Sequence, residues 1–220
     1  MKKKSLVFFL LSISFLASYG VELKKEGRDP AYVESIVERS QKIVDKLEVK
    51  NQKDAEAVRN IIANRYFELN DIYEVRDAKA KQAKETLQGD AKTEALKAAE
   101  NEKEAALYRS HFAFPAALSL YLNEKQIEAV KDGMTYGVVG VTYTAMLDMI
   151  PTLTQEEKTQ IYAWLVEARE FAMDAENSNK KHEAFGKYKG RINNYLSQRG
   201  YDLVKEREGW YKRIEARKKK

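Results

Sequence analysis

"DAEAVRNIIANRYFELNDIYEVRDAKAKQAKETL", residues 54–87, decides the fold class. It contains neither proline nor glycine, and its apolar residues do not alternate as a half-buried strand requires. At about 100° per residue, Val58, Ile61, Ile62, Leu69 and Ile72 fall on one arc. The stretch therefore reads as one long helix with a single buried face. The rest of the chain follows suit. Its three prolines stand at positions 30, 115 and 151, and Ala, Glu, Lys and Leu abound. The expectation is an all-α, single-domain bundle of about six to seven helices.

Working outward, Pro30 opens a first helix to about Leu47, with Val33, Ile36, Val37, Ile43 and Val44 on its apolar side. "QGD" ends the long helix, and a third is expected from about Ala91 to Leu122. Its early part is almost entirely polar and small, so residues 88–105 read as an exposed hairpin arm. "LNEKQIEAV" (122–130) and "LTQEEKTQI" (153–161) open alike. Asn123 with Gln126, and Thr154 with Glu157, fit the reciprocal capping box. The pattern resembles the Leu-Thr-x-x-Gln element of small periplasmic helical chaperones, although capping alone accounts for it. The last helices are expected over about 180–199 and 203–217, parted by Gly200.

Residues 1–20 carry the marks of a cleaved leader. "MKKK" is basic, "SLVFFLLSISFLA" is apolar, and Ser18 and Gly20 supply the small residues for cleavage after Gly20. The apolar run is short for a bilayer span. With no cysteine, neither a lipid-anchored cysteine nor a disulfide is possible. The expected location is the periplasm or the exterior, without a membrane span once the leader is removed. Net charge falls from +5 to +2 without Lys2, Lys3 and Lys4 (36 cations against 34 anions). Without the tail 217–220 as well, read as a solvated end, it is −2 (32 against 34). No basic face remains for nucleic acid.

Three stretches depart from plain helix. In "RYFELNDIYEVRD" (65–77), Arg65 and Arg76 lie within the apolar arc, beside a stripe of Tyr66, Asn70, Tyr73 and Asp77. A buried guanidinium needs an anionic partner; an internal acid is the commoner one, a ligand carboxylate the other. "GMTYGVVGVTYTAML" (133–147) has no charge and three glycines, and reads as an irregular loop. It is either a buried crossover or the neutral wall of a pocket lined by Tyr136 and Tyr143. In "AFGKYKGRINNYLSQRGYD" (184–202), Phe185, Tyr188, Ile192, Tyr195 and Leu196 make a helical apolar arc. Gly186 and Gly190 on its flank suit close approach of another backbone, while Lys187, Arg191 and Asn194 lie further round, free to bind.

Catalytic signals are thin. His111 and His182 are the only histidines, and no motif sets up a metal site, a nucleophile elbow or a phosphate loop. No cofactor is implied. His182, near Lys187 and Tyr188, is a candidate general base.

"IIANRYFELNDIYEVRDAK" (61–79), "KDGMTYGVVGVTY" (131–143), "WLVEAREFAMD" (164–174) and "FGKYKGRINNYLSQRGYD" (185–202) together resemble the domain of unknown function 3826 family. These are secreted bacterial proteins described as sugar-binding and found with polysaccharide-degradation systems, especially for acidic pectins. The resemblance covers most of the chain after its leader and carries no catalytic residues. The positions it singles out are Arg76, Asp77, Asp132, Tyr136, Tyr143, Arg169, Lys187, Tyr188, Arg191 and Asn194. The chain departs from the family pattern in "GVVGVTY", where a glycine replaces an expected proline, and residues 88–105 resemble a variable insertion. The resemblance implies a non-catalytic oligosaccharide-binding protein, with an acidic glycan as the ligand. The competing expectations are an envelope chaperone or adaptor, and an enzyme on acidic glycans using Tyr188, His182 or Asp132.

Overall fold

A computed structural model describes residues 20–219, so the leader read at residues 1–20 lies outside them apart from Gly20. Among these residues every regular element is helical. Nine helices follow in order: α1 (Pro30–Val44), α2 (Gln52–Thr86), α3 (Gly89–His111), α4 (Ala113–Leu118), α5 (Glu124–Met134), α6 (Val138–Met149), α7 (Gln155–Met173), α8 (Ser178–Gln198) and α9 (Leu203–Lys218). None is long and apolar enough to cross a membrane.

The nine exceed the six to seven expected, for two local reasons. Pro115 has no N–H to give and its ring crowds the preceding turn. The helix expected to reach Leu122 therefore ends at His111, and α4 begins afresh with Pro115 in its first turn. Residues 133–147 are not an irregular loop. Only Thr135–Gly137 turns, with Tyr136 (φ 61°) and Gly137 (φ 65°) both left-handed, and the Gly137 amide donates to Asp132 O at 2.8 Å. The remainder is helix α6, which packs against α7 and α9. Those neighbours cover part of its uncharged stretch 138–147, although Val141, and Tyr136 before the helix, stay exposed.

Two main cores sit side by side. Ile43, Val44, Val58, Ile62, Leu118, Val130 and Met134 join α1, α2, α4 and α5. Ile150, Ile161, Leu165, Phe185, Ile192 and Leu196 join the end of α6 to α7 and α8. A third, small cluster of Ile36, Ala63 and Phe67 closes α1 on α2. Val58, Ile61, Ile62 and Leu69 are buried as the arc requires. Beyond them α2 pairs with α3 as a hairpin, in which only Ala83, Ala99, Lys103 and Leu107 are buried.

Both capping boxes form. Gln126 also donates to Leu47 O at 2.9 Å, tying the start of α5 to the chain after α1. Glu157 accepts from Thr154 N and from the Tyr201 hydroxyl, each at 2.8 Å, which fastens α7 to the turn before α9. The basic tail is not simply a solvated end. Arg217 makes two bonds to Asp148, at 2.7 and 2.9 Å, beside one from Trp210 at 2.7 Å. The Arg217 guanidinium, aided by the Trp210 N–H, holds the Asp148 carboxyl down to about 2.

Candidate functional site

The structure divides the ten sequence-derived positions among separate places. Arg76 reaches Asp77 (2.5 Å), Glu176 (2.9 Å) and Glu100 (3.6 Å) and lies over the Tyr73 ring. It lines a cavity of about 390 Å³ between α2 and α3. Arg65 is buried and bonds Glu68, Ser110 and Asp174. Both arginines thus have internal acids, the commoner of the two readings. The stripe beside them is dispersed as well: Asn70 donates to Glu74, and the Tyr73 hydroxyl donates to Asp174 O.

Arg169 and Asp132 come together as structure. Arg169 is 2% exposed, at the junction of α5 and α7, and pairs with Asp132 at 2.8 Å, with Glu128, and with Glu170 at 3.4 Å. Lys131 adds bridges to Glu128 and Glu170. Such a network is a clamp between helices, its two cations shared among three carboxylates. Tyr136 stacks on His182, with centroids 5.8 Å apart, and Tyr143 meets Tyr162 edge-on.

Lys187, Arg191 and Asn194 do gather, on one face of α8 at spacings of four and three. With Gln198, Gly190, Trp164 and Tyr195 they line a shallow groove of about 590 Å³ between α7 and α8. Trp164 and Tyr195 meet edge-to-face at 5.0 Å. The Arg191 guanidinium lies 4.6 Å over the Trp164 ring and 3.6 Å from Glu167, both partners of that ion pair being about half-exposed. Lys187 makes no ion pair among the described residues. The groove shares no lining residue with the Arg76 cavity.

The glycines of this segment overturn the close-approach expectation. A Cβ built on Gly186 or Gly190 meets nothing within 4 Å, so no neighbouring backbone requires either. Gly190 instead leaves the groove open. The tight approach lies at Gly133, where a Cβ would come within 3.0 Å of Ile43.

Tyr188 stands just past the groove, stacked on Phe171 with centroids 6.3 Å apart. Burial and the adjacent Glu167 carboxylate push its phenol up to about 12. Phe171 in turn borders a second cavity, of about 400 Å³, with Tyr108, Phe112 and His111 from α3 and the residue after it. His111 Nδ1 is 2.7 Å from Asp174 Oδ2, and its Nε2 is 3.8 Å from Glu170 Oε2. Sequence reasoning passed over this place because His111 has no motif around it. Its partners lie some sixty residues away on α7 and at its end. The available signal was "WLVEAREFAMD", in which Trp164, Glu167 and Phe171 repeat at helical spacing outside the buried positions. Among the described residues, no group of three His, Asp or Glu side chains is placed to hold a metal ion.

A search of curated proteins returns no match. A family model described as "Protein of unknown function (DUF3826)" matches residues 33–216, spanning both cores, the groove and the His111 cavity. The chain belongs to that family.

Proposed function

We propose that this protein binds an acidic oligosaccharide in the groove between α7 and α8, as a non-catalytic module of polysaccharide utilisation in the periplasm or outside the cell. The location rests on the leader read at residues 1–20. The observation that carries the binding reading is the contrast among the cations. Arg76 and Arg169 are spent on internal acids, whereas Lys187 and Arg191 flank an open groove. The Arg191–Glu167 pair is half-exposed, and such pairs contribute little, so a ligand carboxylate can compete for that guanidinium. Trp164 and Tyr195, whose rings Arg191 and Arg199 overlie at 4.6 Å, flank the groove, and Asn194 and Gln198 offer amides to sugar hydroxyls. Gly190 leaves room for the sugar to approach.

The test is thermal unfolding of residues 21–220 with neutral and uronic-acid oligosaccharides, alongside Lys187→Ala, Arg191→Ala and the double variant. Both substitutions are on exposed side chains, so the fold should persist. A uronic-acid oligomer at a hundred times its dissociation constant adds about 2.7 kcal/mol. That gain should shrink in each single variant and vanish in the double one, while Arg76→Ala keeps it. A full shift in the double variant, or none in the wild type, would sink the proposal.

A further inference from the structure

We infer that the binding track continues past the cationic groove to a second subsite at His111, which takes an uncharged sugar ring. This inference rests on the glycan-binding reading above. Trp164, Glu167 and Phe171 lie on one face of α7 and span about 10.5 Å at 1.5 Å per residue. Tyr188, Arg191 and Tyr195 face them from α8, through the contacts Tyr195–Trp164, Arg191–Trp164, Arg191–Glu167 and Tyr188–Phe171. Ring and charge therefore follow one another without a break from the groove to Phe171, which is also a wall of the 400 Å³ cavity.

The chemistry changes at that wall. Around the cavity Tyr108, Phe112 and Phe171 are 71%, 61% and 62% exposed. Three large rings left in water around one hollow mark a surface that a ligand covers. The charged lining consists of Glu104, Glu170 and Asp174, with no lysine or arginine. Two of these carboxylates are held from behind, Asp174 by Arg65 at 2.6 Å and Glu170 by Lys131 at 3.2 Å. They are fixed acceptors for sugar hydroxyls, and the lining holds no lysine or arginine to pair with a uronate. His111, oriented by Asp174 through Nδ1, also lines the cavity. A neutral pyranose satisfies every part of this lining: its C–H face covers a ring and its hydroxyls donate to the carboxylates. The glycan so recognised carries both acidic and neutral residues.

The chain has two histidines, so His182→Gln assigns the His111 side-chain resonances in the nuclear magnetic resonance spectrum. The probes are methyl glycosides of neutral hexoses, methyl galacturonide, a uronic-acid trimer and tetramethylammonium. Neutral glycosides should move the His111 signals in the wild type and in Lys187→Ala, but not in Phe112→Ala or Tyr108→Ala. Methyl galacturonide should leave them in place. The trimer, read separately by its dependence on Lys187, reports the groove and tests the earlier proposal by itself. A mixed acidic and neutral oligomer should bind at least about tenfold more tightly than an all-uronic one of equal length, and Phe112→Ala should abolish that gain. His111 signals unmoved by neutral glycosides, moved by tetramethylammonium instead, or insensitive to Phe112→Ala would overturn the subsite. Absence of the tenfold gain would overturn its continuity with the groove.

Discussion

Lys181 seats the helix that carries the groove, and its burial makes a quantitative prediction. The side chain is 6% exposed, donates to Met134 O at 2.9 Å and lies 5.5 Å from the Tyr66 ring. Burial, reinforced by Arg39, pushes its ammonium down to about 8 from 10.5. Between those two values the unfolded chain binds the proton and the folded one does not, so stability rises with pH across that window. The cost of the buried charge, about 3 kcal/mol at pH 7, should fall by about 2 kcal/mol by pH 9.5. Beyond that pH ordinary tyrosines begin to ionise, so the measurement stops there. Urea denaturation of the wild type and Lys181→Met at pH 7, 8, 9 and 9.5 isolates the effect, because other titrations are common to both. The stability difference should move by about 2 kcal/mol toward the wild type over that range. A difference that stays flat would refute the reasoning. It would mean that water reaches Nζ and that the start of α8 is not sealed against α5.

The glycines give opposite expectations at two sites. Gly190→Ala should stabilise the helix by about 1 kcal/mol in urea denaturation, because its Cβ meets open space, while weakening oligosaccharide binding by narrowing the groove. Gly133→Ala should instead cost about 1–3 kcal/mol by forcing Ile43 aside. Arg169→Met should cost about 1.5–3 kcal/mol in the same assay, because Asp132 loses its cation while Glu128 and Glu170 keep only Lys131. If Arg169 served a ligand rather than the fold, that variant would keep its stability.

The helical class, the single long α2, both capping boxes and the spans of α8 and α9 were all legible in the sequence. They depend on local chemistry: apolar spacing along one helix, a side chain reaching back to its own backbone, a proline or glycine at an end. The same local reasoning placed Lys187, Arg191 and Asn194 together on the outer face of α8. Pairing between helices was beyond it. That Arg76 and Arg169 would find Glu176 and Glu128 across 100 and 41 residues depends on which helix packs against which, and no spacing encodes that. The residues after Gly137 were misread for a related reason. Glycines and valines disfavour a helix by themselves, and only packing against α7 and α9 settles α6 as one. Likewise the empty space beside Gly190 and the crowding beside Gly133 come from neighbours far along the chain. His111 is the clearest case, an isolated histidine in sequence that the fold sets between Asp174 and Glu170. Sequence determined the helices and their faces; the tertiary structure decided which charges are neutralised inside and which are left facing water, because that balance exists only between elements.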